Sequence, residues 1–143
     1  MTRFYGIDEA NAAIPDVERI LIALRDQREE LVDLRDRALG LTPEDGAPAD
    51  EAAEELRRIR LRMQGLIDQM QAGVARLVEL DITLRDIQTG LIDFPALLTG
   101  QPIWLCWRLG EHDVAHWHHE NEGFSKRRPL TELPAGRGSG TLA

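Results

Sequence analysis

Residues 56–89 read LRRIRLRMQGLIDQMQAGVARLVELDITLRDIQT, and the architecture turns on how their aliphatic side chains recur. Leu56, Met63, Met70, Leu77 and Leu84 form one row at a spacing of seven, and Ile59, Leu66, Gly73, Leu80 and Ile87 form the next. Such a seam predicts a helix packed lengthwise against another helix, in the manner of a coiled coil. Gly73 lies on it and lets a second backbone approach closely. Started near Ala49 to Asp50 and read to Thr89, this helix has ~40 residues and a length of ~60 Å.

Upstream, Val17, Leu24, Leu31 and Ala38, with Ile20, Leu34 and Leu41 on the neighbouring row, describe a second amphipathic helix interrupted by Gln27. Pro15 at a first-turn position, followed by Asp16 and Glu18, predicts its start. Gly40 predicts its end, and GLTPEDGAPAD, residues 40–50, reads as a connector. At ~37 Å the first helix is shorter than its partner. The longer one should therefore overhang, to be covered by the turn DEANAA (8–13), by the C-terminal part or by a second copy of the chain.

No aromatic residue lies between about Pro15 and Thr89, whereas Phe94 to Phe124 holds all three tryptophans. The period changes there as well. Leu91 to Leu97, Pro102 to Arg108 and Val114 to His118 are short β-type runs separated by TGQP and LGEHD, and such short connections imply an antiparallel meander. The expected fold class is mainly α with a small β part. It comprises a long antiparallel helical hairpin (about 15–89), a short three-stranded antiparallel meander (about 91–118) and a C-terminal extension (119–133), in a single domain 1–133. The Gly-rich residues 134–143 are expected to form a disordered tail.

A 143-residue chain can bury a core without staples. With 25 Asp+Glu against 17 Lys+Arg, its formal net charge of −8 argues against a duplex nucleic-acid or anionic-membrane partner, since both need a basic face. No apolar run is long enough for a membrane span, and the N-terminus lacks a signal-peptide pattern. The single Cys106 forms no intramolecular disulfide, which suits the cytoplasm.

Chemistry concentrates in residues 110–124, GEHDVAHWHHENEGF, which hold all four histidines and four carboxylates. Pairing Trp107 with Val114 across the LGEHD turn sets Trp104 opposite Trp117 and Ile103 opposite His118. Trp104, Cys106, Ala115 and Trp117 then share the expected core face, with Cys106 a buried thiol, while His116 and His118 project together from the other face. Two histidines so spaced can ligate one ion, with Glu111, His112, Asp113, Glu120 or Glu122 completing a shell of nitrogen and oxygen donors. Asp93, a carboxylate within an apolar strand, needs a partner if buried, and Arg108 or a histidine can serve. Arg127 and Arg128, in SKRRP, are candidate anion ligands. The plain alternative is a solvated sheet edge carrying these groups.

EANAAIP (9–15), GLIDFP (90–95), LCWRLGE (105–111), Trp117–His118 and EGF (122–124) followed by RRPL (127–130) resemble, in order and spacing, the bacterial family called domain of unknown function 2203. The resemblance covers Tyr5 to about Leu130. It implies a small, mostly helical cytoplasmic protein and supplies no activity. Within it, Glu111 and His118 are the positions where family motif and ligand chemistry coincide, with Glu122 or Asp93 as further donors and His116 as a local addition.

Two functions from different classes are expected from these features. In the first, the chain is a helical interaction or scaffold protein acting as a homodimer, with a protein partner. In the second, it is a small metal-binding protein or metal-dependent hydrolase using Glu111 and His118 with zinc, iron or manganese. No motif names a reaction, so whether the chain is an enzyme is left open by its sequence.

Overall fold

The computed structural model describes residues 3–41, 49–133 and 141–142. Most of the expected connector, and most of the tail expected to be disordered, lie outside the described residues. Helices α1 (Ile7–Leu39) and α2 (Ala49–Glu79) form the hairpin. Strands β1 (Thr83–Asp86), β2 (Leu91–Leu98), β3 (Gln101–Arg108), β4 (His116–His119) and β5 (Arg128–Pro129) follow. These five lie in sequence order in one antiparallel sheet, and a short strand β6 (Thr141–Leu142) pairs parallel with the end of β2. The sheet thus has five antiparallel strands where three were expected. Among the described residues no helix is long and apolar enough to cross a membrane.

Both helix lengths differ from expectation. α1 begins at Ile7 because the apolar period continues upstream of Pro15: Ala10, Ile14, Val17, Leu21 and Leu24 are all buried on one face. Asp8 and Glu9 occupy its first turn, where carboxylates favour the helix dipole, and Glu9 Oε1 accepts the Gly6 N–H. Pro15 is inside the helix on its exposed side, so DEANAA is helical and not a separate turn.

α2 ends at Glu79, ten residues before Thr89. Asp81 takes a left-handed conformation (φ 60°), which turns the chain out of the helix. The N-terminal segment holds that turn: the Arg3 N–H donates to Asp81 Oδ2 and the Tyr5 hydroxyl donates to the Leu80 carbonyl, at 2.8 and 2.7 Å. With 33 and 31 residues the two helices are nearly equal. The expected overhang does not exist, and Leu84 and Ile87, counted on the helical seam, belong to β1 and the turn after it.

Two cores result. Far along the hairpin, Leu34, Ile59 and Leu66 pack with Leu31 and Met63. At its base, the first half of α1, with Leu77 of α2, covers one face of the sheet through Ile92, Phe94, Ile103, Leu105, Trp107 and Trp117. Gly73 marks the close approach of the helices, since a Cβ there would meet Leu24 at 3.1 Å.

The β3–β4 register differs by one residue from the expected pairing. Leu105 lies opposite Trp117, Trp104 opposite His118 and Cys106 opposite His116. The connection is a long loop, not a tight turn. Trp107 Nε1 donates to the Glu111 carbonyl, and the Val114 N–H donates to Asn11 Oδ1 of α1, which draws the loop away from the ladder. Because side chains alternate with period two, the shift exchanges faces. Trp117 joins Ile103, Leu105 and Trp107 on the helix-covered face, while Trp104 and Cys106 turn to the opposite one.

Candidate functional site

On that opposite face, directly paired positions bring Asp93, Cys106 and His116 into one row, with Trp104 and His118 in the next. Two polar groupings form along it. In the first, His118 Nε2 lies 3.1 and 3.0 Å from the two oxygens of Asp93. Both residues are almost fully buried, at 2% and 1% exposure. Asp93 Oδ2 also accepts the Arg85 Nε–H at 2.8 Å, and the Arg85 guanidinium stacks over the Trp104 ring. Cys106, equally buried, completes the grouping: one donor atom each from Asp93, Cys106 and His118 falls within 4.8 Å of the others. Among the described residues this is the group of three ligating side chains close enough to share an ion.

The His118 ring carries the decisive detail. Its Nδ1 lies 2.9 Å from the His119 carbonyl oxygen and its Nε2 faces the Asp93 carboxylate, so both ring nitrogens look at oxygen acceptors. A neutral imidazole has only one N–H to offer. Either a second proton is shared between the ring and the Asp93 carboxyl group, or a cation at Nε2 would take its place while Nδ1–H serves the carbonyl. The second arrangement is the usual one around a metal-bound histidine.

Cys106 is chemically silent without such a cation. Burial, then the charge of Asp93, push its thiol up to about 12, while Arg127, which donates a hydrogen bond to the sulfur, acts in the opposite direction. A coordinated metal ion removes a thiol proton outright.

The second grouping surrounds Glu111. Arg127 Nη1 donates to both of its oxygens, at 3.2 and 3.1 Å, and the Arg108 N–H donates to Oε1 at 3.0 Å. His116 Nδ1 is 3.6 Å from Glu111 Oε2, too far for a hydrogen bond, and is buried without one among the described residues. Glu122 accepts from the His119 N–H and from Arg128 Nη2, so Arg127 and Arg128 each rest on a carboxylate of the chain itself.

Of the residues singled out from sequence, Asp93 and His118 are therefore brought into contact. Glu122 lines the same cleft as they do, whereas Glu111 and His116 sit together in the neighbouring grouping. Asp93 finds a histidine partner, as one of its two expected options, and adds Arg85. Sequence reasoning missed Arg85, which was counted as helical, and set Cys106 aside as a core thiol. An Asp on an apolar strand opposite a Cys, with a His diagonally beyond, was the available signal, and it needed the correct register.

The cleft above the first grouping measures about 290 Å³ and is walled by Arg85, Leu91, Glu120, Asn121, Glu122 and Gly123, with Asp93 and His118 at its floor. The family of uncharacterized conserved proteins designated DUF2203 matches residues 3–130. The chain belongs to the DUF2203 family. The match spans the hairpin, β1 to β4 and the segment that carries Arg127, so both groupings lie within the family's shared region. No curated protein and no solved structure matches the chain.

Proposed function

We propose that this DUF2203 protein binds a divalent transition-metal ion through Asp93, Cys106 and His118, and that the ion carries its activity. The observation that supports this reading is the buried His118 ring with an oxygen acceptor at each nitrogen and a buried thiol alongside. A nitrogen, oxygen and thiolate donor set suits Zn²⁺ or Fe²⁺ better than Mn²⁺, which prefers oxygen. Tetrahedral bonds of ~2.0 to 2.3 Å would place donor atoms roughly 3.3 to 3.6 Å apart, so His118 and Asp93 would separate by a few tenths of an ångström while the Cys106 sulfur, within 4.8 Å of both, would move closer. Three protein donors leave a position for water, the arrangement used by hydrolytic metal sites. The competing description is a buried imidazolium–carboxylate pair with no metal. Elemental analysis of protein purified without added metal or chelator separates them. Metal near one equivalent per chain, falling to background in His118→Ala, is the expected result. Background metal in both proteins would leave only the ion pair.

A second reading, the homodimer expected from the helical seam, draws support from a different place. Leu31, Ile67, Met70, Gln71, Val74 and Ala75 line an almost wholly apolar groove of about 450 Å³ on the side of the hairpin, with Val78 exposed on the same strip of α2. Patches of this kind mark contact surfaces. Along the strip lies Arg60, the arginine of α2 without an ion-pair partner among the described residues. Two copies packed antiparallel along the strip would set Arg60 near the acidic end of the other helix, at Glu79 and Asp81. Light scattering at micromolar concentration tests it, with a dimer mass expected for the parent and a monomer mass for Val74→Glu. A monomer mass for the parent removes this reading without touching the metal site.

A further inference from the structure

We infer that the metal site takes a small oxyanion, a carboxylate or a phosphate group, as an outside ligand, one oxygen on the ion and another on Arg85. The inference rests on the metal reading above and adds what the site is for. Its first support is the geometry of access. The cleft is lined by Asp93 and His118 and not by Cys106, so an outside ligand reaches the site past those two residues.

The second support is Arg85. Its Nε is committed to Asp93 and its plane is held against Trp104. Its two Nη groups make no hydrogen bond among the described residues, although the side chain is 41% exposed and lines the cleft. A guanidinium fixed by one edge and one face, with its remaining donors turned to a cleft, is prepared for a two-oxygen partner.

Charge gives the sign of that partner. A divalent ion with one carboxylate and one thiolate is neutral, and Arg85 then leaves the floor of the cleft one positive charge in excess. On the rim, Glu122 is already engaged by Arg128 and the His119 N–H. Among the described residues that line the cleft, Glu120 has an exposed side chain and can compete for the position. Size points the same way, since about 290 Å³ lies at the lower edge of ordinary ligand pockets and suits a small ligand.

The test uses the full chain loaded with Co²⁺, whose visible bands report coordination number and whose near-ultraviolet thiolate band reports Cys106. The loaded protein is titrated separately with acetate, oxalate and inorganic phosphate, which distinguishes carboxylate from phosphate ligands. The expected result is a saturable change in the visible bands with at least one of them, while the thiolate band persists. Arg85→Gln, at saturating Co²⁺, should keep the thiolate band and weaken the anion roughly tenfold, about 1.4 kcal/mol, with Arg85→Lys in between. Visible bands that no oxyanion moves overturn the inference and leave the metal site standing. So does a response that appears only in Glu120→Gln, because Glu120 is then the fourth ligand. No thiolate band in the parent protein removes the metal reading, and this inference with it.

Discussion

The two faces of one sheet are built on opposite principles. The face toward the helices carries Ile92, Phe94, Ile103, Leu105, Trp107 and Trp117, all apolar and closely packed. The other face, one residue along the same strands, carries Asp93, Cys106, His116 and His118, which are buried or half-buried and tied to Arg85, Arg127 and Glu111. Burial of large apolar side chains stabilises, whereas burial of ionised pairs often gains little against a well-packed apolar replacement. The comparison teaches that net stability comes mainly from the apolar face, which leaves the paired polar groups of the other face available for the metal site proposed above.

The largest effect expected from breaking this division is on the apolar face. Trp107→Ala removes a fully buried indole and its hydrogen bond to the Glu111 carbonyl, and should cost ~3–5 kcal/mol in denaturant unfolding. On the polar face, Asp93→Ala strands His118 and should cost the metal-free protein about 3 kcal/mol or more. The double variant Asp93→Leu/His118→Leu sharpens the contrast. It should recover most of that loss, since both members of the pair are gone, and should bind no metal. A double variant as unstable as Asp93→Ala would mean that the polar face is there to hold the fold.

A smaller effect comes from the turn that joins β1 to β2. Gly90 has φ 66°, and a Cβ there would overlap the Leu109 side chain. Gly90→Ala should therefore cost roughly 1–2 kcal/mol from the backbone conformation, with Leu109 displaced in addition. Smallest at neutral pH is the contribution of Cys106. Its thiol ionises near 9 when exposed and near 12 in the fold, so the stability it contributes is complete below pH 9 and is lost as pH rises towards 12. Metal-free parent protein should lose stability through that window more steeply than Cys106→Ala. Parallel curves would show that the sulfur is not held as a thiol.

The two helices were legible in the sequence because a seven-residue repeat sustained through Leu56, Met63, Met70 and Leu77 leaves little choice of period, and β2 and β3 were legible from apolar runs bounded by TGQP and LGEHD. Their ends were not. Pro15 imitated a helix start, although Ala10 and Ile14 continue the buried face beyond it. Leu84 and Ile87 imitated two more steps of the heptad, although the stop at Asp81 depends on Arg3 and Tyr5, distant in sequence. For the site, Asp93, Glu111, His118 and Glu122 stood out by residue type. How they divide into two groupings depends on a one-residue register set by Asn11 of α1, which no local pattern records.

The central claim is that Asp93, Cys106 and His118 form one metal site and that Glu111 and His116 lie outside it. Calorimetric titration of the metal-free protein with Zn²⁺, repeated on Asp93→Asn, Cys106→Ser, His118→Ala, Glu111→Gln and His116→Ala, tests it most directly. The account predicts one saturable site in the parent protein, nearly unchanged in Glu111→Gln and His116→Ala, and an affinity reduced roughly a hundredfold or more, about 2.7 kcal/mol, in each of the other three. Identical heats in the parent protein and His118→Ala, or a loss confined to Glu111→Gln and His116→Ala, would contradict it.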